Sequence, residues 1–173
     1  MATYYVYAPF TGSARAQEEY CGGGNHPSRY YSSPLDIHRA GITGIYFSAS
    51  SNITKIKVRF DDQVCSSLPG DPWENAVLID VYNAGGCHIG SVSYSHVDNP
   101  ITTSISGVYY YTNLLRIGDL SPDTCNCNGQ FLCYSGIHVH MEGNGVPQNF
   151  SSNCGTNVYA SSTWIYKWDS FCV

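Results

Sequence analysis

The run TKIKVRF sets Ile56, Val58 and Phe60 against Lys55, Lys57 and Arg59 in strict two-residue alternation. That period fits a strand with one apolar face and one wet, basic face. A helix would scatter the same residues around its circumference. AVLIDVY (76–82) is more continuously apolar and reads as a central strand, and GSVSYSHV (90–97) places Val92, Tyr94 and His96 on one side. NAGG between these two runs supplies a turn, so an antiparallel hairpin is predicted. GVYYYTNLL (107–115) and NVYASSTWIYKW (157–168) each predict one further strand, while 22–35 and 121–136 read as long irregular loops. The expected class is therefore mainly β, a single-domain antiparallel β-sheet with long disulfide-tied loops. At 173 residues the chain is long enough to enclose a core, with 1–173 expected as one domain.

Cys21, Cys65, Cys87, Cys125, Cys127, Cys133, Cys154 and Cys172 form an even set of eight without any paired C-x-x-C zinc spacing. Four disulfides and an oxidising, extracellular setting are expected. Two sequons, NIT at Asn52 and NFS at Asn149, agree with a secretory route. The opening MATYYVYAPF has no basic start or long apolar core, as a mature secreted chain would read, and membrane insertion is not expected because no run approaches a spanning length. Thirteen acidic and eight basic residues give a net charge of -5, with no basic stripe long enough to neutralise a phosphate backbone, so nucleic acid is not an expected partner. Only 12% of residues are charged and 15 are Tyr, which leaves a surface of hydroxyls, amides and phenols suited to neutral sugars or peptides more than to ionic ligands.

SGIHVHMEG (135–143) holds the main candidate site. On a strand, Ile137, Val139 and Met141 share one face and His138, His140 and Glu142 the other. Two imidazoles and a carboxylate on one surface are either a site or a solvated strand face. Their context resembles the LytM/lysostaphin-type zinc endopeptidases, relatives of which include leukocyte cell-derived chemotaxin. SPLDIHRAGITGIYFSAS (33–50) is similar to the run through that family's His-x(3)-Asp motif, YSH (94–96) to its Tyr-x-His, and IHVHME (137–142) to its terminal His-x-His motif. The resemblance covers about residues 25–145.

It implies a LytM-type β fold, with Asp36 and His140 at metal-ligand positions and His96 and His138 at the positions of the two catalytic histidines. Four residues before Asp36, where the family places its first zinc-ligating histidine, the chain has Ser32. A catalytic zinc normally takes three protein ligands and leaves one position for water, and Asp36 and His140 supply two. His38, two residues past Asp36, is a substitute ligand if the site is rearranged; His26, in a glycine-rich loop, is another. The expected function is accordingly a secreted, lectin-like carbohydrate-binding protein on a degenerate peptidase scaffold, for which Ser32 argues against enzymatic activity and against a cofactor, zinc being the one cofactor left open. Ser32, Asp36, His96, His138 and His140 would bind a neutral glycan or peptidoglycan-like ligand, with Tyr30, Tyr31 and Tyr94 offered for stacking. The alternatives are an active zinc endopeptidase with a substitute ligand and a chemotaxin-like receptor-binding protein.

Overall fold

A computed structural model describes residues 1–11, 16–20, 30–38, 43–61, 75–120, 138–148 and 158–172. Among them are fourteen strands and no helix. The first five are β1 (Ala2–Tyr7), β2 (Ala16–Tyr20), β3 (Leu35–His38), β4 (Gly44–Ser48) and β5 (Ile53–Asp61). Next come β6 (Ala76–Asn83), β7 (His88–Ser95), β8 (Val97–Asp98), β9 (Val108–Tyr110) and β10 (Leu114–Leu120). The last four are β11 (Val139–Gly143), β12 (Val146–Pro147), β13 (Val158–Tyr159) and β14 (Trp164–Ser170).

Every strand pairing is antiparallel. One sheet of eight strands runs β13-β2-β3-β11-β7-β6-β5-β9, and two sheets of three run β1-β14-β12 and β4-β10-β8. The predicted β class is borne out. The predicted hairpin is β6 and β7: Asn83 and Cys87 close it with a backbone hydrogen bond, the Asn83 side chain accepts from Cys87 N, and Gly86 takes a φ of 81° that a side chain would strain.

The alternation of β5 buries Ile56 and Val58 completely, against Ile79 and Val81 of β6, Val92 and Tyr94 of β7, and Met141 and Val139 of β11. Ile45 and Phe47 of β4, Ile117 of β10 and Ile165 and Tyr166 of β14 close the same core from the small sheets. One core thus fixes the large sheet from behind, and its other face carries the polar residues.

Three strand expectations change. Residues 107–115 are two strands in different sheets, β9 beside β5 and β10 beside β4, because Thr112 and Asn113 turn the chain: Thr112 Oγ1 bonds Leu114, and Asn113 bonds Ala49. Residues 157–168 likewise divide into β13 and β14, separated by a turn in which Thr163 N donates to Ala160 O. The strand expected through 90–97 ends at Ser95, and His96 adopts a left-handed φ of 66° instead of continuing beside Val92 and Tyr94.

Candidate functional site

Asp36 and His140 stand directly opposite each other where β3 pairs with β11, and on the other side of β11 the register sets His140 against Ser95 and Glu142 against Ser93 of β7. Antiparallel pairing brings the two residues together across 104 positions of sequence. His140 Nδ1 lies 2.8 Å from Asp36 Oδ1, and its Nε2 lies 3.0 Å from Glu142 Oε1. Burial opposes charge on this imidazole, but hydrogen bonds to Asp36 and Glu142 and the fields of both carboxylates outweigh it and raise its pKa above the ordinary value. His140 and Glu142 are both fully buried.

Glu142 is the hub of the arrangement. Its second oxygen accepts the backbone N–H of Tyr30 and of Tyr31, each at 2.7 Å. A buried carboxylate is tolerated only with such partners. The segment before β3 is further tied down by Gly143 N donating to Ser32 O, and by the Tyr166 hydroxyl, which donates to Ser33 O at 2.6 Å and lies 3.2 Å from Met141 O. A Cβ on Gly143 would overlap the Tyr166 ring, so glycine is what lets β14 press against β11 here.

His138 Nε2 reaches the same Asp36 oxygen at 3.6 Å. The left-handed turn at His96 swings its ring edge-on to His138, with centroids 5.0 Å apart, and 6.5 Å from His140. Burial first, then the positive fields of His138 and His140, holds the His96 pKa well below its usual value, so this imidazole is neutral at neutral pH. Asp36, His96, His138 and His140, four residues singled out from sequence, therefore form one buried acid–imidazole cluster. The solvated-face reading of SGIHVHMEG does not hold, since His138 is 5% exposed and His140 and Glu142 are 0%.

Ser32 sits apart from that cluster. It is exposed, and its hydroxyl donates to Gly143 O at 3.3 Å. Tyr94 cannot stack on a ligand as expected from sequence: it is fully buried in the core. Tyr30 instead donates its hydroxyl to Asp61 Oδ2, and the half-buried Tyr31 phenol lies with Ser91, Asp80 and Arg59. His26 and the side chain of His38 lie outside the described residues, as do all cysteines except Cys87 and Cys172, which form a disulfide.

The site residue that sequence reasoning left out of the binding set is Glu142, although its place two residues after His140 in the same alternation is the signal that would find it. Ser93 and Ser95 were also missed. Both are fully buried, and their hydroxyls have no hydrogen-bond partner among the described residues, beside His140 and Glu142 in the register.

Zinc, which the motif resemblance implies, fits these residues incompletely. Asp36 Oδ1 and His140 Nδ1 converge, and a carboxylate on the far nitrogen of a histidine is the usual support of a metal ligand. Ser32, however, offers no third ligand, and no group of three or more His, Cys, Asp or Glu side chains among the described residues is arranged to hold a metal ion.

The fold is similar to that of a solved M23 metalloprotease, described as pseudoalterin, a novel enzyme from the deep sea. The TM-score is 0.52 at 15% sequence identity, covering 94% of this chain and 98% of that one. At this identity the likeness establishes the fold, and the fold relation expected from the three motifs is supported. No protein-family profile matches the chain, and no significant match was found among curated protein sequences.

Proposed function

We propose that this chain is a secreted, non-hydrolytic binding protein on an M23-type scaffold, a degenerate relative of the LytM peptidases that recognises a neutral glycan. The observation that carries this reading is Ser32: at the position of the first expected zinc ligand stands an exposed serine whose hydroxyl is engaged by Gly143 O. With two ligand positions filled, metal-assisted hydrolysis lacks its first requirement. The Asp36–His140–Glu142 network then acts as a rigid floor. Asp36 and His138, the least buried members of the cluster, are an acceptor and an imidazole that suit the paired donors and acceptors of a sugar. The fold and the Cys87–Cys172 disulfide are compatible with an extracellular location.

A second reading, a zinc endopeptidase acting on peptidoglycan-type peptides, is favoured by the support that Glu142 gives His140. A glycan array combined with metal analysis separates the two. Expected are binding of a neutral glycan in the millimolar to micromolar range, about -4 to -8 kcal/mol, and less than one zinc per chain. His138→Ala and Asp36→Asn should each weaken binding about tenfold, the effect of losing a polar contact of ~1.4 kcal/mol, in protein whose melting curve shows it folded. Stoichiometric zinc with cleavage of glycine-rich peptides would establish the peptidase reading, and a blank array with no zinc would leave receptor binding of the chemotaxin kind.

A further inference from the structure

The polar face of the eight-stranded sheet has a second feature, well away from the cluster of His96, His138 and His140. Arg59, Leu78, Ser93 and Glu142 form one row across β5, β6, β7 and β11, so the Lys55, Lys57 and Arg59 side chains project from the same face as His140 and Glu142. Tyr30 and Tyr31 lie over that row, joining Glu142 to Asp61 and approaching Ser91 and Arg59. Beyond this strap, four residues further along β5 and three strands across, lies Lys55, on the order of 20 Å from Glu142 at ordinary strand spacings.

There the register pairs Lys55 with Tyr82, Tyr82 with His88, and Lys57 with Tyr109 of the edge strand β9. Lys55 Nζ stands 4.7 Å from the Tyr82 ring centre and 5.2 Å from that of Tyr109, and Lys57 Nζ stands 5.6 Å from Tyr109. The two phenol rings are 6.2 Å apart, and His88 is tilted against Tyr82 at 5.4 Å. Asp80, opposite Lys57 in the register, is engaged elsewhere: it takes the Ser91 hydroxyl at 2.7 Å, Arg59 at 3.6 Å and His88 at 3.8 Å. Neither Lys55 nor Lys57 makes an ion pair among the described residues. Three of the chain's eight cations are thus gathered on one strand face of a protein with net charge -5, two of them held over aromatic rings and without a carboxylate partner among the described residues.

We infer that Lys55, Lys57, Tyr82 and Tyr109 form a separate binding site for an acidic polysaccharide, one bearing sulfate or carboxylate groups. Side chains two apart on one strand face are about 7 Å from each other, a spacing that serves anionic groups on one sugar or on its neighbour. Tyr109 is 49% exposed and offers a ring on which a pyranose lies flat, while the ammonium groups take the anions. The patch is short, and the remaining surface is acidic on balance, which favours a discrete sugar sequence over a long phosphate backbone. This site stands independently of the reading given to the histidine cluster.

The test is retention on immobilised heparin and titration calorimetry with a heparin oligosaccharide, with dextran as the uncharged control. Wild-type protein should bind heparin in a salt-sensitive manner and ignore dextran. Lys55→Gln/Lys57→Gln should weaken binding at least tenfold, Lys55→Arg/Lys57→Arg should largely keep it, and Tyr109→Ser should reduce it severalfold at unchanged salt dependence. These positions are on the surface, and a melting curve confirms that each variant is folded. Neutral-glycan binding at the histidine cluster, where present, should be unaltered by all three variants, so the two sites fail separately. Heparin binding that survives the Gln pair, no binding by wild-type protein, or a preference for duplex DNA or anionic phospholipid vesicles over heparin would each overturn the inference.

Discussion

At the residue scale the decisive side chain is Glu142, a carboxylate with no solvent exposure that joins β11, through His140, to the incoming segment, through Tyr30 N and Tyr31 N. Its removal leaves two backbone donors and one ring nitrogen of His140 without their acceptor in a dry environment. Glu142→Ala should therefore lower stability by about 3–5 kcal/mol, the range for breaking a buried charge pair, read as a shift of the urea midpoint. Glu142→Gln retains an acceptor oxygen and should cost less. If the alanine variant unfolds at the wild-type midpoint, the hub assignment is wrong. Asp36 differs in kind, because it keeps more exposure than His140 or Glu142 and meets two histidines through one oxygen.

Elements are held together here by close approach as much as by ladders. Trp168 of β14 packs on β7 at Gly90, where any Cβ would overlap the indole, and its Nε1 donates to Asn144 Oδ1 at 2.9 Å. Gly90→Ala should destabilise by at least the ~1–3 kcal/mol typical of overpacking, and tryptophan fluorescence should report the displaced ring before global unfolding. The other tie of the C-terminal strand is the Cys87–Cys172 disulfide, which bridges 85 positions from the β6–β7 turn to the end of β14. Asn83 reinforces it by donating to Cys172 O. For a loop of this length Cys87→Ser/Cys172→Ser should cost about 4.5 kcal/mol by the chain-entropy argument, and hydrogen exchange along β14 should quicken more than along β5. Equal protection in both strands would show that packing alone holds the terminus.

For the whole molecule, the eight cysteines predict a chain without free thiols. Cys87 and Cys172 meet that expectation; the other six lie outside the described residues. Intact mass without reduction, with and without alkylation, should show no modified cysteine, and reduction should add the hydrogens of four disulfides. Any alkylated cysteine in native, denatured but unreduced protein contradicts the oxidised framework. The same experiment bears on the neighbourhood of the histidines, because Cys125, Cys127 and Cys133 precede β11 closely in sequence.

The β class, the β5 alternation, the β6–β7 hairpin and the gathering of Asp36, His96, His138 and His140 were legible in the sequence. Each rests on a local period or turn, or on a motif order that the fold must respect. The alternation of SGIHVHMEG placed Glu142 beside the histidines but could not tell whether that face was wet. Its burial depends on Tyr30 and Tyr31, more than a hundred residues away. The left-handed turn at His96, the split of 107–115 between two sheets and the loss of Tyr94 to the core were likewise invisible. Local pattern sets which way a side chain points along its own strand, whereas what covers it is chosen by segments that arrive only when the chain has folded. For the same reason the basic alternation of β5 reads from sequence only as a wet face. Tyr82 and Tyr109, brought in by neighbouring strands, turn it into a site with a shape.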